Sequence, residues 1–386
     1  MNEVMTSEAV LENARELVPE IIDRGEEIAT LRRLPRDLVD KLKAAGCYRI
    51  MFPKSFGGVE MPLLKQVELM EILAYADPSV SWVVKIGSDA GFLAALLEED
   101  AAHELFPNVD MATAGQATLN GRATKVPGGY KINGRWSFGS GSTHADVMLG
   151  ACIVEGEPPI APGVPNAIFA LAPASSWTIE DTWHSMGLCG SGSNHYSTTD
   201  LFVPDRHTFR GNAPASHAGS LFRLPFTSAV SVPWGGVPLG LMRRSIDEAI
   251  EVATTKIVPI PVRSVMKSLP RVRLAIARAE ALLGAASAYV HQSVARLQDE
   301  LDAGRDPSDT LMRAVGLSRI HAFRTAAKVS QMMVNAIGPS AILTSSPLDR
   351  MMRDAITTNQ HLLLSDGIVE DIGAAIFGDA PNPPYL

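Results

Sequence analysis

Cysteine is scarce in this chain: Cys47, Cys152 and Cys189 are the three thiols in 386 residues, and no two stand at a metal-ligand spacing. That odd, scattered set argues against a disulfide framework and a cysteine zinc site, and suits a reducing cytoplasm. Long apolar runs are missing too. The Ala-rich stretch from Ala275 to Val290 is broken by Arg278 and Glu280, so no window approaches the roughly 18 uncharged residues that a membrane helix needs. Positive charge is in deficit: 34 Lys and Arg against 42 Asp and Glu give a net charge of −8, which disfavours nucleic acid as a partner. The first twenty residues carry acids where a secretory leader would carry a basic end and an apolar run. There is no internal repeat, no low-complexity tract, no Ser-His-Asp arrangement and no pair of histidines at ligand spacing. A soluble cytoplasmic protein without a metal is expected.

What is present is 46% hydrophobic residues, enough for a large core in two or three packed units. Residues 1–110 read as a helical N-terminal domain, with Val10, Ala14, Leu17 and Ile21 at helical spacing. Asp77-Pro78 supplies a side-chain cap and a first-turn proline to a helix over Ser79–Leu97, apolar on nearly every face, with Trp82 inside. Residues 111–215 change character: seven short alternating runs between Gly- and Pro-rich connections predict a small β-sandwich or barrel. Residues 216–386 return to long helices over 237–255, 269–303, 307–337 and 348–377, a C-terminal four-helix bundle. The tail GDAPNPPYL is too rich in proline to continue the last helix. The predicted class is α+β multidomain.

The stretch Gly128–Gly141, GGYKINGRWSFGSG, reads as a hairpin turning at Asn133-Gly134. Trp136 then leads into small and hydroxyl-bearing residues. It is either an ordinary hairpin with a core tryptophan or a platform for a flat heteroaromatic ligand. A second glycine-rich element, Met186–Ser193, precedes a strand and not a helix, which excludes a Rossmann turn. It is either a bulged β corner or a loop whose N–H groups touch a ligand. In the last helix Arg350, Asp354, Thr357, Thr358, His361 and Ser365 draw one polar stripe. That stripe either faces water or presents the His361 imidazole to a pocket, where it can take a proton at neutral pH.

Together these features resemble the acyl-CoA dehydrogenase-like flavoproteins over nearly the whole chain. The matching stretches are Phe56-Gly57-Gly58-Val59-Glu60, the strands leading into Trp136, Met186–Ser193 and Asp200-Leu201-Phe202-Val203-Pro204. The Thr-Glu-Pro…Gly-Ser-Asp loop and the glutamate base of true dehydrogenases are absent, whereas Trp-Ser-Phe-x-Ser-Gly and a late Arg-Asp…His are present. The resemblance is therefore to the branch of two-component flavin-dependent monooxygenases. It implies reduced FMN or FAD from a separate flavin reductase, and O2 activated as a flavin C4a-hydroperoxide. It also implies a small aromatic, heterocyclic or amine substrate and a homotetramer. It makes His361 catalytic and Trp136, Phe138, Gly139, Ser140, Ser142, Gly190, Gly192 and Ser193 flavin contacts. Trp82 and Phe92 would wall the substrate pocket. The alternative is an FAD-dependent acyl-CoA oxidoreductase with Asp354, Asp366 or Glu370 as base.

Overall fold

The computed structural model describes residues 5–379, except 162, 212 and 260–262. The proline-rich tail from residue 380 onward lies outside the described residues.

Seven helices open the chain: α1 (Ser7–Asp23), α2 (Gly25–Leu31), α3 (Arg36–Ala44), α4 (Leu63–Ala76), α5 (Pro78–Ser88), α6 (Ala90–Ala95) and α7 (Glu99–Leu105). The Asp77 carboxylate accepts from the N–H groups of Ser79 and Val80, and Pro78 fills the first turn of α5. The expected helix from Ser79 to Leu97 is in fact two, because the chain turns at Asp89. Nearly every residue of α5 and α6 is buried, as their apolar composition demands.

The middle of the chain forms β1 (Thr113–Val126), β2 (Gly129–Gly139), β3 (Val147–Val154), β4 (Ala167–Pro173), β5 (Thr178–Glu180), β6 (Asn194–Pro204) and β7 (Thr208–Phe209). They hydrogen-bond into one sheet in the order β5-β6-β2-β1-β3-β4-β7, with β1 and β3 parallel. The sheet curls over its own core of Trp136, Tyr196, Trp177, Met148 and Cys152, and its edge strands do not pair with each other. The seven strands thus form one continuous, open sheet over that core.

The hairpin turn lies elsewhere than Asn133-Gly134. Val126 pairs with Gly129, so the chain reverses at Pro127-Gly128, where Gly128 takes φ +81°. β2 runs straight through Asn133-Gly134 with only a shift in its register against β6.

Six further helices complete the fold: α8 (Phe226–Ser231), α9 (Gly236–Thr255), α10 (Pro270–Asp302), α11 (Asp309–Ile337), α12 (Pro347–Thr358) and α13 (Asp366–Ile376). The first three long helices stand close to their predicted bounds. The fourth does not. Its helix stops at Thr358 and restarts at Asp366, because the Asn359 side chain donates to the carbonyls of Phe323 and Ala355 and diverts the chain. His361 sits in this break, not on a helical stripe.

Candidate active site

A cleft of about 1090 Å³ opens where the sheet meets α5, α8 and the break between α12 and α13. That volume stands at the upper end for small-molecule sites, large enough for a cofactor ring and a substrate together. Its floor is aromatic. The rings of Trp82 and Trp234 lie 4.0 Å apart, and His361 packs at 5.4 Å from the first and 5.3 Å from the second. One flank is the start of β1, Thr113 to Thr118 with Asn120; the other carries Ser137, Phe138, Ser140, Trp183, Leu188 and Ser193.

His361 is held by its own backbone neighbourhood. Its Nδ1 accepts the Leu363 N–H at 3.2 Å, capping the short turn Leu362–Leu364. In the neutral ring the proton is therefore on Nε2, the nitrogen left for a ligand. Burial first, then the nearby charges of Arg319 and Lys85, pull the imidazole down to about 4, so the ring is neutral near pH 7.

Buried hydroxyls line the junction of sheet and helices. Trp82 Nε1 donates to Ser140 Oγ at 3.1 Å; Ser140 and Ser193 hydroxyls lie 2.7 Å apart, as do Ser193 and Ser191. The chain fixes the Trp82 ring against the sheet. The Gly141 N–H donates to the Ser191 carbonyl, tying the two glycine-rich segments together.

Of the expected flavin contacts, the cleft takes Phe138, Ser140 and Ser193, and with them Trp82. Trp136 is corrected: it is fully buried in the sheet's own core, stacked on Tyr196 at 5.4 Å, with Nε1 donating to the Ala151 carbonyl. Simple alternation puts Trp136 and Phe138 on one face. A register shift between Trp136 and Gly139, with Phe138 at φ +62°, turns the Phe138 ring outward to 57% exposure instead. Gly139 faces the Tyr196 ring, so it too belongs to the core side. Ser142 is buried and donates to the Gly192 carbonyl, away from the cleft. Phe92 is also corrected: it is fully buried against Phe222 and Phe226.

Gly190 and Gly192 do not line the cleft. A Cβ on Gly190 would meet Ile28 of α2 at 2.2 Å, and one on Gly187 would meet the Arg353 carbonyl of α12 at 2.3 Å. Gly187 and Gly190 thus let this segment pack closely on α12 and α2. The Leu188 N–H is taken by Asp354 Oδ1 at 2.6 Å. Burial, with the Asp77 carboxylate nearby, pushes the Asp354 carboxyl up.

Sequence reasoning missed the start of β1, where residues 117–120 bulge between the two paired stretches against β3, and it missed Lys85, Asp89 and Trp183. One signal was available. Lys85 and Asp89 are two charges at i, i+4 in the otherwise uncharged run from Pro78 to Leu97, and such charges are buried only for a reason. They form an ion pair at 2.6 Å in the cleft wall.

Comparison with known proteins agrees with this geometry. Residues 5–105 match the acyl-CoA dehydrogenase N-terminal domain family, and residues 234–366 match the acyl-CoA dehydrogenase C-terminal domain family. The chain is 33% identical to an indole-3-acetate monooxygenase of Pseudomonas putida over 381 residues, 98% of this chain and 95% of that protein. It is 28% identical over 374 residues to the oxygenase component of an FADH(2)-dependent resorcinol hydroxylase of Rhizobium sp., covering 92% and 90% of the two chains. Among solved structures, XiaF from Streptomyces sp. in complex with FADH2 and glycerol superposes with a TM-score of 0.90, at 25% identity and 98% coverage of both chains.

Proposed function

The chain belongs to the acyl-CoA dehydrogenase-like flavoproteins, in their branch of flavin-dependent monooxygenases, and from this we propose that it is the oxygenase component of a two-component system. A separate reductase supplies reduced FMN or FAD, and one atom of O2 goes into an aromatic or heteroaromatic substrate. The observation that carries the reading is the neutral, backbone-anchored His361 at an aromatic cleft floor.

The cleft suits a flavin. Phe138 and Trp183 offer ring faces, the bulged residues 117–120 lie outside the β3 ladder, and Ser140 and Ser193 bring hydroxyls to the flank. Bound reduced flavin would supply two electrons and the carbon at which dioxygen is activated. The chain's own groups bind, dry and orient. Trp82, Trp234, Leu93 and Phe226 exclude water from the inner end. His361 serves as a hydrogen-bond donor through Nε2 toward an oxygen in the cleft, since a ring titrating near 4 is a weak base at neutral pH.

The acyl-CoA alternative lacks its base. Asp354 is buried outside the cleft lining with Oδ1 on the Leu188 N–H, Asp366 is 93% exposed at the mouth beside Arg324, and Glu370 is exposed. Assembly as a homotetramer is supported by α10, which leaves Leu274 and Tyr289 exposed along its outer face. The free cysteines, two of them buried, support a cytoplasmic setting.

Two isosteric variants test the histidine. Asn places its oxygen where Nδ1 stands and keeps the Leu363 cap, whereas Gln places its amide N–H where Nε2 stands. His361→Asn is expected to lose roughly 10²–10³-fold in product formation at saturating reduced flavin, with flavin affinity retained. His361→Gln should keep more activity than His361→Asn; the opposite order would remove the donor role.

A further inference from the structure

In and beside the inner end of the cleft there is more buried positive charge than the carboxylate there balances. Lys85 is 1% exposed, and its ammonium donates to both oxygens of Asp89 at 2.6 and 2.7 Å. An ammonium has three N–H donors, and Asp89 is its one hydrogen-bond partner among the described residues. Arg319 of α11 is 4% exposed and, unlike Lys85, has no carboxylate partner among the described residues. Its Nη1 donates to the Ser231 carbonyl at 3.1 Å, and its Nε has no partner. Burial alone acts on it, lowering its pKa from the usual arginine range.

Arg319 does not line the cleft but lies beside the same end of it. The carbonyl it holds lies three residues before Trp234, whose ring has Lys85 Nζ at 5.3 Å and His361 at 5.3 Å. The Arg319 charge acts on both Lys85 and His361. Lys85 and Asp89 in the wall with Trp82, Trp234 and Leu93, and Arg319 beside that wall, sum to one positive charge. A packing role alone would be served better by apolar residues of the same volume, because an uncompensated buried cation is costly.

We propose that this end of the cleft binds the carboxylate of an aromatic or heteroaromatic acid, with Lys85 Nζ donating to it and Arg319 balancing its charge. The proposal rests on the monooxygenase reading of the same site. It names the substrate class: a flat ring against Trp82 and Trp234, carrying an acid group on a short arm. Asp89 keeps the Lys85 ammonium in place, and the carboxylate completes the charge balance.

The test is calorimetric titration of the full chain with indole-3-acetate and with indole, alone and with FMN present. Three proteins are compared: the natural chain, Arg319→Met, and Lys85→Met combined with Asp89→Asn so that no lone carboxylate stays buried. The natural chain is expected to bind the acid roughly tenfold or more tighter than indole. Both variants should lose that preference while FMN binds as before. Equal affinity for the two compounds, binding of neither, or a preference that survives in both variants would overturn the proposal. So would weaker FMN binding in Arg319→Met with the preference intact, which assigns the cation to a flavin phosphate. Product analysis separates the two levels. Preferential binding without oxygenation contradicts the monooxygenase reading and leaves the carboxylate site standing. Equal oxygenation of acid and neutral compound does the reverse.

Discussion

Trp136 lies face to face with Tyr196, edge-on to Trp177, and donates to the Ala151 carbonyl. Replacing it therefore tests packing and not affinity. Trp136→Phe is expected to destabilise the fold by about 1–3 kcal/mol, through a lost buried hydrogen bond and a small void. Denaturant titration reads that loss, while flavin binding to the folded variant should be unchanged; a selective loss of flavin affinity would return Trp136 to the site. The segment around it was legible as aromatic followed by small hydroxylated residues. What alternation could not show was the bulge that sends Phe138 to the cleft and leaves Trp136 behind, since a positive φ on phenylalanine has no sequence signature. His361 was legible as a distinctive polar residue late in the chain. Its setting was not, because the bond that anchors it comes from the backbone of Leu363 in a turn that residue periodicity does not predict.

At the scale of elements, the splice formed by Met186–Ser193 sets where the sheet sits against the helices. Trp183 Nε1 donates to the Leu188 carbonyl, Asp354 accepts the Leu188 N–H, and Gly187 touches the Arg353 backbone. Gly187→Ala is expected to force that loop and α12 apart, at a cost of about 1–3 kcal/mol in stability, because the obstructing atom is backbone and cannot rotate away. Thermal unfolding with and without flavin checks this; an unchanged midpoint would show that the contact is slack. Helices α9, α10 and α11 were readable from apolar spacing because each buries a long stripe. The break after Thr358 was not: both sides keep helical spacing, and the interruption comes from Asn359 bonding the Phe323 carbonyl, 36 residues away. Local pattern records burial well and long-range hydrogen bonds poorly. For the same reason the hairpin turn was misplaced, with Asn133-Gly134 as the stronger local signal and Pro127-Gly128 as the actual turn.

For the whole molecule, the order of helices, sheet and helices brings residues from all three parts to one cleft: Lys85 and Trp82 from the first, Phe138 and Ser193 from the second, Trp234 and His361 from the third. The chemistry belongs to that junction, and none of the three parts contains it alone. The most direct measurement of the central claim is mass spectrometry of the product formed under ¹⁸O2. The full chain is supplied with an added flavin reductase, FMN or FAD and an aromatic acid such as indole-3-acetate. The account predicts one ¹⁸O atom per product molecule, formed only when the reductase or chemically reduced flavin is present. Product oxygen drawn from water, or flavin bleached by an acyl-CoA without oxygen, would contradict it.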